Sequence, residues 1–249
     1  MTDTPAALAI STEDEPAAAS GIDLDAMSAE DLAGYAKSLR EEWERTQKAC
    51  IKRAGVDPDI FFDKSMPQSE LFMVEIIPII HQLYFNWPYN GTVEVLDIGP
   101  QTFTGTRLLS RLHAPKSFNN LKMKITALDI HDRFLPLKEC ICPEVEFIKS
   151  DVFDVRDRSW DLIICSHVLE HVPQPEAFLQ QLQKLSRRDV IVACPWNEDP
   201  ITTKGHVNTI GKALVRKSGA RDLRVFTNFM WGKTREVCIF TLDGKAPRR

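Results

Sequence analysis

The sequence has no basic surplus, no long apolar run, and no cysteine pattern of a metal ribbon or a disulfide scaffold. Its 31 Lys and Arg against 35 Asp and Glu give a net charge of -4. No global field therefore draws in phosphate backbones or anionic membranes, and nucleic acid is not an expected partner. No stretch approaches the ~20 apolar residues that span a bilayer. The opening MTDTPAALAISTEDEPAAAS lacks the basic start and apolar core of an export signal. Of the cysteines at 50, 140, 142, 165, 194 and 238, two fall in segments that read as buried strands. Cys140 and Cys142 form a C-x-C pair with no second pair at zinc spacing. A reduced, cytoplasmic protein is expected.

Glycine is also scarce where it would be most telling. The stretch VEVLDIGPQTFTG, Val93 to Gly105, begins as a buried strand that ends in an acid and a glycine, but no G-x-G-x-x-G follows. A dinucleotide presses its pyrophosphate against such a loop, so the missing glycines count against a nicotinamide cofactor.

What is present suffices for one α/β domain with an extension, since 249 residues at 43% hydrophobic content can bury a sizeable core. Residues 1 to about 25 are rich in Ala, Ser, Thr, Pro and acids without periodicity and read as a disordered tail. Residues 26–90 read as a helical cap or lid. Ser28 and Asp31 open one helix, and QSELFMVEIIPIIHQLYF forms a second whose Pro78 should kink or divide it. So apolar a helix must be covered, either by the main domain or by a partner, and a homodimer through these helices is the alternative.

From residue 91 the pattern alternates strand and helix and ends in two strands, RVFTNFMW and REVCIFTL, joined by WGKT. Repeated β-α units imply a doubly wound, mostly parallel sheet, here of seven strands with an antiparallel C-terminal hairpin. Ligands bind such sheets beyond the carboxyl ends of the strands. Asp97-Ile98-Gly99, Asp129-Ile130, Ser150-Asp151-Val152, Cys165-Ser166-His167 and Cys194-Pro195-Trp196-Asn197 occupy those ends.

In order and spacing these stations resemble the class I S-adenosylmethionine-dependent methyltransferases, in their small-molecule and glycan branch. DIGP with TGTRLL is similar to the family's first motif, ITALDIHD to the second and IKSDVFD to the third; SWDLIICSHVLEHVPQPEAFLQQL is similar to its fourth-strand signature. The resemblance implies S-adenosylmethionine as cofactor. Its contacts would come from Asp97, Gly99, Gln101, Asp129, Ile130, Asp151, Val152, Ser166 and His167, with Asp129 on the ribose hydroxyls and Asp151 on the adenine amino group. Asp132 is the runner-up to Asp129. Acids at these positions suit a sulfonium and disfavour a phosphate.

His167-Val-Leu-Glu170-His171 also spells H-x-x-E-H, but it follows a buried strand in an α/β repeat, which is the wrong setting for a zinc peptidase. His171 and His206 are instead the candidate general bases. A divalent metal on His167, Glu170, His171 and His206 is the less favoured reading; so many imidazoles would suit manganese, iron or zinc better than magnesium. Trp196 reads as pocket lining and Trp231 as packing. The expected activity is methyl transfer to a hydroxyl of a small molecule or saccharide. The alternative is a protein of this fold that binds S-adenosylmethionine without turnover.

Overall fold

The computed structural model describes residues 23–89, 91–228 and 235–247. The chain divides into two compact units, residues 1–46 and 47–249. In the first, Asp23 accepts a hydrogen bond from the amide of Asp25 and caps a 3-10 turn at Leu24–Ala26. The Ser28 hydroxyl bonds Asp31, and helix α1, Ala29–Arg53, starts there and runs into the second unit. Most of the expected tail, the WGKT turn and Trp231 lie outside the described residues.

In the second unit Asp57 caps the short helix α2, Pro58–Ile60, and a π turn at Phe61–Ser65 leads into α3, Met66–Leu83. Pro78 is accommodated inside α3 and does not divide it. The alternating units follow: β1 Thr92–Ile98, α4 Thr104–Leu112, β2 Lys122–Asp129, α5 Leu135–Ile141, β3 Glu146–Lys149, β4 Trp160–Ser166, α6 Pro175–Leu185, β5 Ser186–Pro195, α7 Lys212–Lys217, β6 Arg221–Thr227 and β7 Glu236–Asp243. Helix α5, with Pro136 in its first turn, was not anticipated, and α7 begins later than VNTIGKALV suggested because Gly211 is still extended.

The strand order is β3-β2-β1-β4-β5-β7-β6, with β7 antiparallel to both β5 and β6. Side chains alternate across the pleat. Leu96, Ile98, Ile163, Val190 and Val192 face one way, onto Phe178, Leu179 and Leu182 of α6. Val93, Val95, Ile125, Leu162, Ile164 and Ile191 face the other, onto Met73, Ile76, Ile79 and Ile80 of α3. Burial on the sheet accounts for the hydrophobicity of α3 within one chain.

The amino ends of the central strands are tied by charge. Arg187, almost wholly buried, reaches Asp161 at 2.9 Å and Glu94 at 2.6 Å, and donates to the Ser159 carbonyl. Asp161 in turn accepts the Glu94 amide. Removing the guanidinium strands two carboxylates, so Arg187→Ala should cost ~3 kcal/mol of unfolding free energy in urea titrations. Ligand binding by the folded fraction should be unchanged, because these residues lie at the opposite end of the strands from the cavity described next.

Candidate active site

A cavity of about 830 Å³ opens at the carboxyl ends of β1, β2 and β4, within the size range of small-molecule sites. It lies where the strand order reverses between β1 and β4. Asp97, Gly99, Gln101, Asp129, Ile130, Ser166, His167, His171 and His206 all line it. Asp151 and Val152 do not. The Asp151 carboxylate turns back to accept the Phe153 amide at the cap of a 3-10 turn, and Val152 is buried in the core. Trp196 is likewise absent from the lining and packs against the core on the α6 face of the sheet.

The glycine-poor loop keeps a left-handed shape. Gly99, Gln101 and Phe103 have φ of 66°, 47° and 61°, a region that costs a side-chain-bearing residue about 1–2 kcal/mol. At Gly99 an added Cβ would also stand 2.5 Å from the Val168 side chain. At Gly105 it would stand 2.6 Å from the Ser69 carbonyl, which is how closely α3 approaches α4. Gln101 is exposed and faces the cavity. Phe103 points away from the cavity into the core, 2% exposed and edge-on to Phe147.

Asp97 is buried and accepts a 2.6 Å hydrogen bond from Thr106. Burial pushes its pKa up to about 6, partly opposed by that bond. Asp129 spends Oδ1 on the His131 amide, while Oδ2 has no hydrogen-bond partner among the described residues. Asp132, its runner-up, is outside the lining and pairs with Lys149 at 2.8 Å. That pairing holds its carboxyl below the usual value.

Opposite the loop, His167 has φ of 54° and stacks on Phe72 of α3, with ring centroids 3.5 Å apart. The backbone then makes a single 3-10 turn, Leu169–His171, rather than the helix that an H-x-x-E-H motif would need. The carbonyl of Glu170 accepts amides from Val207 and Asn208, which draws the loop after β5 across the opening. His171 and His206 thereby meet edge to face, with centroids 4.8 Å apart. Each has its Nδ1 engaged: His171 by the Gly205 carbonyl at 2.9 Å, and His206 by Glu198 at 2.6 Å. Burial raises the Glu198 pKa, but bonds from Thr203 and His206 outweigh it, and the carboxyl lies below its ordinary value.

Gln68, Ser69, Phe72 and Met73 of α3, with Thr203 and Arg235, complete much of the wall and were not singled out in the sequence. The excess of apolar residues in α3 showed that it must cover something, but not that it covers the strand ends.

Residues 96–194 match the family model of a methyltransferase domain. No curated protein sequence matches the chain. Among solved structures, N-methyltransferase NodS of Bradyrhizobium japonicum WM9, in complex with S-adenosyl-L-homocysteine, is similar with a TM-score of 0.55 and 13% identity, covering 80% of this chain and 98% of that one. Magnesium protoporphyrin IX methyltransferase (ChlM) of Synechocystis PCC 6803, with bound S-adenosylmethionine, gives 0.54 and 15%, over 84% and 96%. The 1,6-didemethyltoxoflavin-N1-methyltransferase of Burkholderia thailandensis gives 0.52 and 16%, over 75% and 84%. At these identities the likeness is one of fold. The sheet order, the crevice and the shared architecture define a Rossmann-like methyltransferase fold of seven strands. The chain thus carries a segment that matches a methyltransferase domain within a fold shared with S-adenosylmethionine-dependent methyltransferases.

The loop geometry makes a test with opposite signs. Gln101→Gly relieves left-handed strain with little lost packing and should leave stability equal or up to ~1 kcal/mol higher. Phe103→Gly empties a core position and should lower it by ~3 kcal/mol. Urea unfolding midpoints of the two variants check both.

Proposed function

We propose that this protein transfers a methyl group from S-adenosyl-L-methionine to a hydroxyl of a small molecule, with a saccharide as the acceptor class. The observation that carries the reading is the meeting of Asp129, the Gly99–Gln101 turn and the His171–His206 pair around one cavity.

The lining fits the cofactor in charge. Asp97, Asp129 and Glu170 face in, and among the described lining residues the fixed cation is Arg235, itself drawn to Glu198 at 3.4 Å. Such a surface suits a sulfonium better than a phosphate. Asp129 Oδ2, with no partner of its own among the described residues, would accept from the ribose hydroxyls, and the Gly99–Gln101 turn would bring backbone to the methionine end. Ile130 and Ser166 border the same space. When bound, S-adenosylmethionine supplies a methyl group activated for in-line displacement.

The chain's own part is chiefly alignment. His171 and His206 donate from Nδ1 to Gly205 and Glu198, which leaves each Nε2 with a lone pair for the proton of an acceptor hydroxyl. Glu170, Thr203 and Arg235 make this end polar, as a saccharide requires. Gln68, Ser69, Phe72 and Met73 wall it from one side, so α3 acts as the part of the N-terminal region that screens water and selects the acceptor. The six cysteines are all free, which suits a reduced, cytoplasmic setting. No helix among the described residues is long and apolar enough to cross a membrane.

Two measurements bear on this. Calorimetry should show Asp129→Asn weakening S-adenosylmethionine binding by ~1–3 kcal/mol, through loss of a charged acceptor. An unchanged affinity would remove the ribose from the end of β2. The second is pH dependence. A cationic ligand favours ionised Asp97, so affinity should fall as pH drops through about 6 and should not do so in Asp97→Asn. Stability of the ligand-free chain carries the opposite sign: folding raises this pKa, so protonating Asp97 adds stability as pH falls from about 6 towards 3.8.

A further inference from the structure

The His171–His206 pair has a third neighbour. One ligand atom each from Glu170, His171 and His206 lie within 4.8 Å of one another. Glu170 is 2% exposed, and its Oε2 is buried with no hydrogen-bond partner. A carboxylate oxygen left dry and unpaired is costly unless a cation or a donor reaches it. The two imidazoles are arranged to supply neither from Nδ1, because those protons are committed to Gly205 and Glu198.

A carboxylate or a carbonyl on one ring nitrogen is the arrangement by which proteins fix a histidine's tautomer, so that its other nitrogen can bind a metal. Here both histidines have it, one ring nitrogen of each lies within 4.8 Å of a Glu170 oxygen, and with Nδ1 engaged it is Nε2 that is free to ligate; Glu170 Oε1 faces His167 Nδ1 at 3.4 Å and Oε2 is unpartnered. Glu198 is itself held by Thr202 and Thr203, so its orientation is set before any ligand arrives. Gly205 has φ of 94°, a conformation that disfavours a side chain and that presents its carbonyl to His171.

From this geometry we propose that Glu170, His171 and His206 form a divalent transition-metal site on the acceptor side of the cavity. Two imidazoles and one carboxylate suit manganese, iron(II), cobalt or zinc and do not suit magnesium or calcium. Bonds of about 2.1 Å require the ligand atoms to draw together by roughly an ångström from their present separation. Three protein ligands leave coordination positions open towards the cavity, where an acceptor with neighbouring hydroxyls can bind through oxygen. His167 is not part of this set; its ring is stacked on Phe72 and its Nδ1 stands 3.4 Å from Glu170 Oε1, the carboxylate oxygen other than the unpartnered one. The proposal rests on the preceding reading only for the nature of the acceptor. In the metal-free chain the Nε2 lone pairs remain the proton acceptors described above; in the loaded chain they are ligands.

The test uses the full chain, purified without a polyhistidine tag and stripped with chelator. It is titrated with manganese(II) and zinc(II), and separately with S-adenosylmethionine. The expected result is one ion per chain, with affinity weakened at least ~10-fold in His206→Ala and in Glu170→Gln. Glu198→Gln, which touches no ion, should also weaken it ~10-fold while circular dichroism and S-adenosylmethionine affinity stay unchanged. Folded protein with a Kd for both ions above about 100 µM, or uptake indifferent to His206→Ala and Glu198→Gln, overturns the site. Uptake that the variants abolish in a chain that binds no S-adenosylmethionine upholds the site and overturns the cofactor reading instead.

Discussion

The reversal of strand order between β1 and β4 is the constraint on which the rest depends. β2 and β3 extend the sheet to one side of β1, while β4, β5 and β7 extend it to the other. The loops that leave β1 and β4 therefore diverge, and a crevice opens between them that neither sheet face can fill. Asp97, Gly99 and Gln101 enter it from one side, and Ser166, His167 and Glu170 from the other.

Stability and function are divided between the two ends of the strands. At the amino ends Arg187, Glu94 and Asp161 satisfy one another. At the carboxyl ends the chain adopts left-handed backbone at Gln101, Phe103, His167 and Asn197, and leaves Glu170 Oε2 without a partner. Strained backbone and unsatisfied polar atoms persist only where surrounding packing enforces them, and among the described residues four of the six non-glycine residues with positive φ fall at this edge.

Much of this was legible in the sequence because it depends on local pattern. The apolar runs in VEVLDI and WDLIICS marked two buried strands, the first of them ending in an acid. Gly99 and Gly105 could be read as places of close approach even with Gln101 and Phe103 between them. Side-chain direction was not legible. Asp151 sits at a strand end as expected, yet its carboxylate caps the following turn, because β3 is short and the chain turns at once into a 3-10 segment. Trp196 turned to the core for a similar reason: the amide bonds of Trp196 and Asn197 to Glu236 and Ile210 set the direction of that turn. Glu198 and the lining from α3 escaped notice because their roles depend on tertiary neighbours far away in sequence.

The central claim is that one crevice places a cofactor between Asp129 and the His171–His206 pair. A crystal structure of the chain with S-adenosyl-L-homocysteine tests it most directly. The account predicts ribose hydroxyls within ~3 Å of Asp129 and the amino-acid end against Gly99 and Gln101, with the thioether sulfur facing the histidines. Ligand density at another edge of the sheet, or a ribose out of reach of Asp129 with the histidines remote from the sulfur, would contradict it.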